Sequence, residues 1–196
     1  HIWFALLILL ILQPFPLFSA ETDSSNSSTS DQPLQVLFIG NSYTYYNDLP
    51  GMVTAMSAQL PVQRAIETSR YAVGMASLRR LWSSGGALTR IRSQSWDVVV
   101  LQDGSSSPSR NPQQFSENII KFEPFIRAQG AYTLLFMTWA HEYRPDMDED
   151  NLAAFEEVRE TRNIPFAPVG IAWQLALDAD PTLPLYDADG THPAPM

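Results

Sequence analysis

The sequence predicts an α/β fold, a parallel five-stranded sheet covered by helices on both faces, and three observations carry that expectation. Short apolar runs alternate with amphipathic stretches of helical period from residue 34 to residue 177, the pattern of βαβ units joined by right-handed crossovers. The run Trp96-Asp97-Val98-Val99-Val100-Leu101-Gln102 is apolar on both faces, as a strand inside a parallel sheet must be. The residues best suited to chemistry fall just beyond strand ends, at Ser42, Gly74, Gln102 and Trp139, and α/β sheets bind ligands at those ends.

Taken in order, Val36-Leu37-Phe38-Ile39 is the first strand, and Gly40 is expected to let the chain bend sharply where it stops. Asn41 and Ser42 follow at a strand-to-helix junction, where by themselves they would serve equally well as a helix N-cap. Leu49, Val53, Met56 and Leu60 recur on a helical period, with Pro50 in the first turn where its missing N–H costs nothing. A second, weaker strand is expected over Val62–Thr68, and then a loop from Ser69 around Gly74. Short helices through Leu81 and Trp82 and over Ala87–Ser93 lead to the third strand, which ends abruptly in Gln102-Asp103-Gly104-Ser105. A helix over Pro112–Gln129 is closed by Gly130, and Ala131–Thr138 is the fourth strand. Leu152, Phe155 and Val158 mark one face of a helix over Asp148–Arg162. Ile164–Val169 is the fifth strand and Ile171–Leu177 a short helix, before a loop rich in Asp, Gly and Pro.

The ends and the composition bound the function. Ile2–Ile11 is almost wholly apolar, and a break at Gln13-Pro14-Phe15-Pro16 precedes Ser19-Ala20. A run of that length suits the h-region of a secretory signal, so residues 1–20 are expected to be a partial signal peptide. Residues 21–33, dominated by Ser, Thr, Asp and Asn, then form a flexible spacer, and one domain occupies 34–196. The protein is therefore expected to be exported, periplasmic or extracellular, with no stable membrane span in the mature chain. With 0 cysteines it has no disulfide, which suits a bacterial secreted domain. A net charge of -9 over 196 residues argues against nucleic acid as a partner. No GxxxxGK or GxGxxG sequence offers a phosphate cradle. The chain stops four residues after His192, where a doubly wound domain would close with one more helix. A truncated carboxyl end and a loosely held His192 are the expectation there.

Ester hydrolysis by serine needs a hydroxyl, a base for its proton, a group that fixes the base's tautomer, and donors aimed at the oxyanion. Of the 3 histidines, His1 falls in the presumed signal, leaving His141 and His192. His192 stands three residues after Asp189 with Gly190 between them, so a tight turn can aim both side chains at one place. Gly40-Asn41-Ser42 after the first strand, paired with Asp189-Gly190-Thr191-His192-Pro193 near the end, resembles the SGNH (GDSL-type) hydrolase superfamily. Phe38–Tyr46, Trp96–Gln102 and Ala167–Trp173 resemble a bacterial branch of it whose function is unassigned.

That resemblance implies a flavodoxin-like three-layer α/β/α sandwich, with Ser42 as nucleophile, His192 as general base and Asp189 as its orienter. It implies an oxyanion hole from the Ser42 N–H, the Gly74 N–H and an asparagine side chain, in whose place this chain carries Gln102. It also implies a serine esterase needing neither metal nor organic cofactor. Its substrate would be a small-molecule or carbohydrate ester with a small acyl group such as acetate. A lipid-directed esterase or lysophospholipase is the alternative, and a catalytically idle surface-binding module the rival from another class. Asn41, Tyr43 and Trp139 are candidate substrate contacts, the aromatic pair, with Tyr45 and Tyr46, as a floor for a sugar ring or acyl chain. His141-Glu142 with Asp146, Asp148, Glu149 and Asp150 lacks the glycine and closing glutamate of a calcium loop, and reads as a solvated capping cluster at a helix start.

Overall fold

The computed structural model describes residues 32–59 and 64–195. The expected signal peptide and the spacer up to Asp31 lie outside the described residues, as do Leu60 and Val62. Five strands build the sheet: β1 (Leu34–Gly40), β2 (Ile66–Ala72), β3 (Val98–Leu101), β4 (Tyr132–Phe136) and β5 (Phe166–Ala167). They pair in the order β2-β1-β3-β4-β5, parallel throughout. This is the flavodoxin-like doubly wound order.

The helices between them are α1 (Ser42–Tyr45), α2 (Leu49–Ser57), α3 (Leu78–Ser83), α4 (Gly86–Ile91), α5 (Ser107–Arg110), α6 (Pro112–Arg127), α7 (Met147–Arg162) and α8 (Val169–Ala179). Alternation along the strands divides the core into two layers. Leu37, Ile39, Val99, Leu101 and Leu135 pack with Leu81 of α3, Ile91 of α4, Phe122 of α6 and Phe155 of α7. Val36, Phe38, Val98, Val100 and Phe136 face the other way, onto Val53 of α2 and Trp173 of α8. Strands apolar on both faces thus bury both, and each fully buried large side chain is worth about 1.5–3 kcal/mol. No helix among the described residues is long and apolar enough to cross a membrane.

The second strand departs from its expected position. It runs over Ile66–Ala72 rather than Val62–Thr68, and the loop shrinks to the residues around Gly74. The physical reason is its place at the sheet edge, where Glu67 and Arg70 face solvent and dilute the apolar signal. The fifth strand is likewise shorter than expected, two residues instead of six.

The order of the strands positions the site. From β1 the chain crosses to β2 on one side, then returns past β1 to β3 on the other. The winding reverses between β1 and β3, leaving a crevice outside their carboxyl ends. Residue 42 lies at the mouth of that crevice.

Candidate active site

Gly40 ends β1 at a point where no side chain fits. A Cβ there would lie 2.5 Å from Oε1 of Gln102 and closer still to Oγ1 of Thr44. Gly40 is absent from the positive-φ glycines, so close approach, and not a left-handed bend, is what requires glycine. Asn41 then caps α1: its Oδ1 accepts from the Tyr43 N–H at 3.1 Å, and its carbonyl accepts from the N–H of Thr44. Ser42 follows as the first residue of α1.

The loop carrying His192 arrives from the far end of the chain. Gly190 closes a turn from Asp187 with φ 65, a conformation that favours glycine. Asp189 Oδ1 accepts from the N–H groups of Thr191 at 2.8 Å and His192 at 2.9 Å. Its Oδ2 lies 2.5 Å from Nδ1 of His192, whose Nε2 lies 2.8 Å from Oγ of Ser42. The His192 ring, with the backbone N–H of the same residue, holds the Asp189 carboxyl well below the usual carboxylate range.

His192 is not on a loose end. Trp139 Nε1 donates to the Thr191 carbonyl at 2.9 Å, Glu142 N–H to the Gly190 carbonyl at 2.8 Å, and Asn47 Nδ2 to the Ala194 carbonyl at 2.8 Å. Tyr46 stacks on the imidazole at 4.4 Å, and Tyr43 lies 5.1 Å from it on a tilted face. The expectation of a loosely held His192 is corrected by these ties.

Four other expected site residues are buried. Gln102 is 1% exposed, and its amide is used inside the fold. Its Oε1 accepts from the Asn41 N–H at 2.9 Å and the Thr44 hydroxyl at 3.0 Å, while Nε2 donates to the Asp103 carbonyl. It braces the nucleophile turn through Oε1 and commits one of its two amide N–H donors to the Asp103 carbonyl. Asn41 is 4% exposed, and its Nδ2 donates to the carbonyls of Ala76 and Asp103. It ties together the ends of three strands. Trp139 and Tyr43 are also largely buried, Trp139 stacked on Trp173 at 4.0 Å, and both line the apolar cavity beside Tyr46 and Pro193.

Gly74 lies in a turn that Ala76 closes by donating to the Val73 carbonyl at 3.1 Å. Met75 at its crest has φ 58 and is 94% exposed, a left-handed conformation costing a residue with a side chain about 1–2 kcal/mol. Among the described residues the N–H groups of Ser42 and Gly74 have no protein acceptor. They stand at the ends of neighbouring strands, β1 and β2.

Sequence reasoning missed Asp103, a buried carboxylate that fastens the loop holding Gly74. It accepts from the N–H of Leu78 and of Gly104, each at 2.8 Å, and from Nδ2 of Asn118 at 3.2 Å. Burial pushes its carboxyl up against the pull of those bonds. The available signal was an acid directly behind a wholly apolar strand. The acidic cluster near His141 is a capping arrangement: Asp148, Glu149 and Asp150 lie in the first turn of α7, and Asp146 pairs with Arg144. Among the described residues no three His, Cys, Asp or Glu side chains converge as metal ligands. A largely apolar cavity of about 560 Å³ opens behind the histidine, lined among others by Tyr46, Pro193, Met52, Met56 and Trp173.

Comparison with solved structures gives the same picture. The chain is 25% identical to a protein from Slackia heliotrinireducens described as a putative SGNH hydrolase, covering 84% of this chain and 92% of that one with a TM-score of 0.71. A lipase/acylhydrolase from Enterococcus faecalis is 16% identical, with 82% and 87% covered and a TM-score of 0.65. A variant of an acetyl xylan esterase from Geobacillus stearothermophilus is also 16% identical, with 84% and 88% covered and a TM-score of 0.56. No family model and no curated protein matches the sequence. A doubly wound sheet with serine, histidine and aspartate in line at its switch point defines a hydrolase of the serine type. The chain belongs to the SGNH hydrolase superfamily.

Proposed function

We propose that this is an exported bacterial serine esterase that works through an acyl-enzyme on Ser42. The observation that carries the reading is one imidazole with a hydroxyl 2.8 Å from Nε2 and a carboxylate 2.5 Å from Nδ1. In this mechanism Oγ of Ser42 attacks the ester carbonyl carbon as Nε2 of His192 takes its proton. Asp189, kept ionised, fixes the Nδ1–H tautomer and stabilises the imidazolium. The tetrahedral oxyanion is met by the N–H groups of Ser42 and Gly74. Collapse breaks the bond to the alkoxide, which leaves with the proton from His192. A water activated by the same Nε2 then attacks the acyl-enzyme, releasing the acid and restoring Ser42.

A small acyl group on a carbohydrate is the first substrate reading, supported by likeness to an acetyl xylan esterase. The lipid-directed reading has one observation in its favour, the apolar cavity beside Tyr46 and Pro193. p-Nitrophenyl esters from acetate to dodecanoate separate the two by where kcat/KM peaks. Labelling by a fluorophosphonate, located by mass spectrometry, tests the nucleophile. Ser42→Ala should keep its melting temperature and lose all labelling and turnover. A parent chain that neither labels nor turns over an activated ester would leave the fold as a binding module.

A further inference from the structure

A second serine–histidine contact lies next to the triad. Ser105 Oγ is 2.9 Å from Nε2 of His141. The two residues come from the loops after β3 and β4. The hydroxyl of Tyr43 is buried and lies against the hydroxyls of Ser105 and Thr191 without a well-aligned bond to either. Tyr43 follows Ser42 in the chain, its ring lies 5.1 Å from that of His192, and Thr191 Oγ1 is 3.3 Å from Nδ1 of His192. Ser105 is thus one side chain away from the triad.

This pair is poorly built to be a second nucleophile and base. Among the described residues no carboxylate is bonded to Nδ1 of His141, and Asp189 favours an imidazolium there only through space. Burial, with the guanidinium of Arg144 and more weakly that of Arg110, pushes its pKa below the ordinary imidazole value. A neutral ring can instead donate Nε2–H to Ser105 Oγ, a tautomer assigned from the contact, and leave the Ser105 proton free to be donated elsewhere.

Sheet order says where that donor stands. β2 and β3 flank β1, so Gly74 and the residues after β3 lie on opposite sides of Ser42. On the β3 side, the side chains of Gln102 and Asp103 are buried and bonded inward, and Gly104 has none. Ser105 is the first residue beyond β3 with a hydroxyl to offer. We propose that Ser105 supplies the side-chain donor to the oxyanion of this enzyme, and that His141 is the positioning residue that aims its O–H. The proposal rests on the esterase reading and deepens it: two backbone N–H groups and one serine hydroxyl would hold the developing charge.

The test compares the parent, Ser105→Ala, Ser105→Thr, His141→Ala and the Ser105→Ala/His141→Ala double variant on p-nitrophenyl acetate, with melting temperatures alongside. Losing an oxyanion donor lowers kcat by roughly 100-fold or more, with KM shifted less than about threefold. Threonine keeps the hydroxyl and should hold kcat within about tenfold of the parent. His141→Ala should lower kcat in the parent and have no further effect once Ser105 is alanine, the coupling expected of groups acting as a unit. A parent that labels at Ser42 while Ser105→Ala turns over normally overturns this assignment alone. So does a loss that threonine fails to rescue, or one confined to KM. Fluorophosphonate found on Ser105 makes it the nucleophile and overturns the proposal, and a parent with neither label nor turnover overturns it together with the esterase reading.

Discussion

Replacing Gln102 by alanine tests whether this amide braces the nucleophile turn or serves the oxyanion. In the structure Oε1 satisfies two buried donors, the Asn41 N–H at 2.9 Å and the Thr44 hydroxyl at 3.0 Å. Alanine would orphan both, whereas the Asp103 carbonyl keeps a second donor in Asn41 Nδ2. Each orphaned buried donor costs about 1–3 kcal/mol, so the expected loss is about 2–6 kcal/mol, and a water admitted beside Gly40 brings it to the lower end. Against a net stability of about 5–15 kcal/mol that is a large share. At about 2–4 °C per kcal/mol for a domain of this size, the melting temperature should fall by about 5–20 °C. Differential scanning fluorimetry reads this, and steady-state kinetics well below the new midpoint read the chemistry. An oxyanion donor predicts the reverse: an unmoved melting temperature with kcat down about 100-fold. That result would refute the bracing role and restore the glutamine to the site.

Three more outcomes follow from the carboxylates. Asp189→Asn should cut kcat by about 10³–10⁴-fold while leaving KM near the parent value, because the wrong tautomer of His192 then faces Ser42; steady-state kinetics check it. The Asp189 carboxyl is held below its ordinary value of 3.8, so its contribution to stability is complete above that pH and fades as pH falls through the folded value. The asparagine variant should lose that acid limb in urea titrations across pH. Asp103 has the opposite sign. Its folded pKa is raised above 3.8, the native state binds the extra proton, and stability declines as pH climbs through that window before levelling. Asp103→Asn should flatten the decline in midpoint urea concentration. A decline of unchanged size would assign it to another group.

How much of this was legible in the sequence depended on whether the needed partner was local. Ser42 could be placed because a strand apolar on both faces, a glycine and a polar pair follow one another within a few residues. Asp189 and His192 could be read together because a three-residue turn aims both side chains. β2 was read too early because an edge strand need bury only one face, so Glu67 and Arg70 break the apolar run. The roles of Asn41, Gln102 and Ser105 depend on partners 35 to 62 residues away, and residue type alone says nothing about which amide atom meets which backbone group. The sheet supplies that missing link. Once β1 lies beside β3 with Ile39 opposite Leu101, the next residues along are Gly40 and Gln102. A glycine facing a glutamine leaves a space the size of a Cβ, and the glutamine side chain lies across it to meet Asn41 and Thr44. The same register that delivers Ser42 to the crevice therefore takes Gln102 out of it. The side-chain donor proposed on that side stands further along the β3 loop, at Ser105.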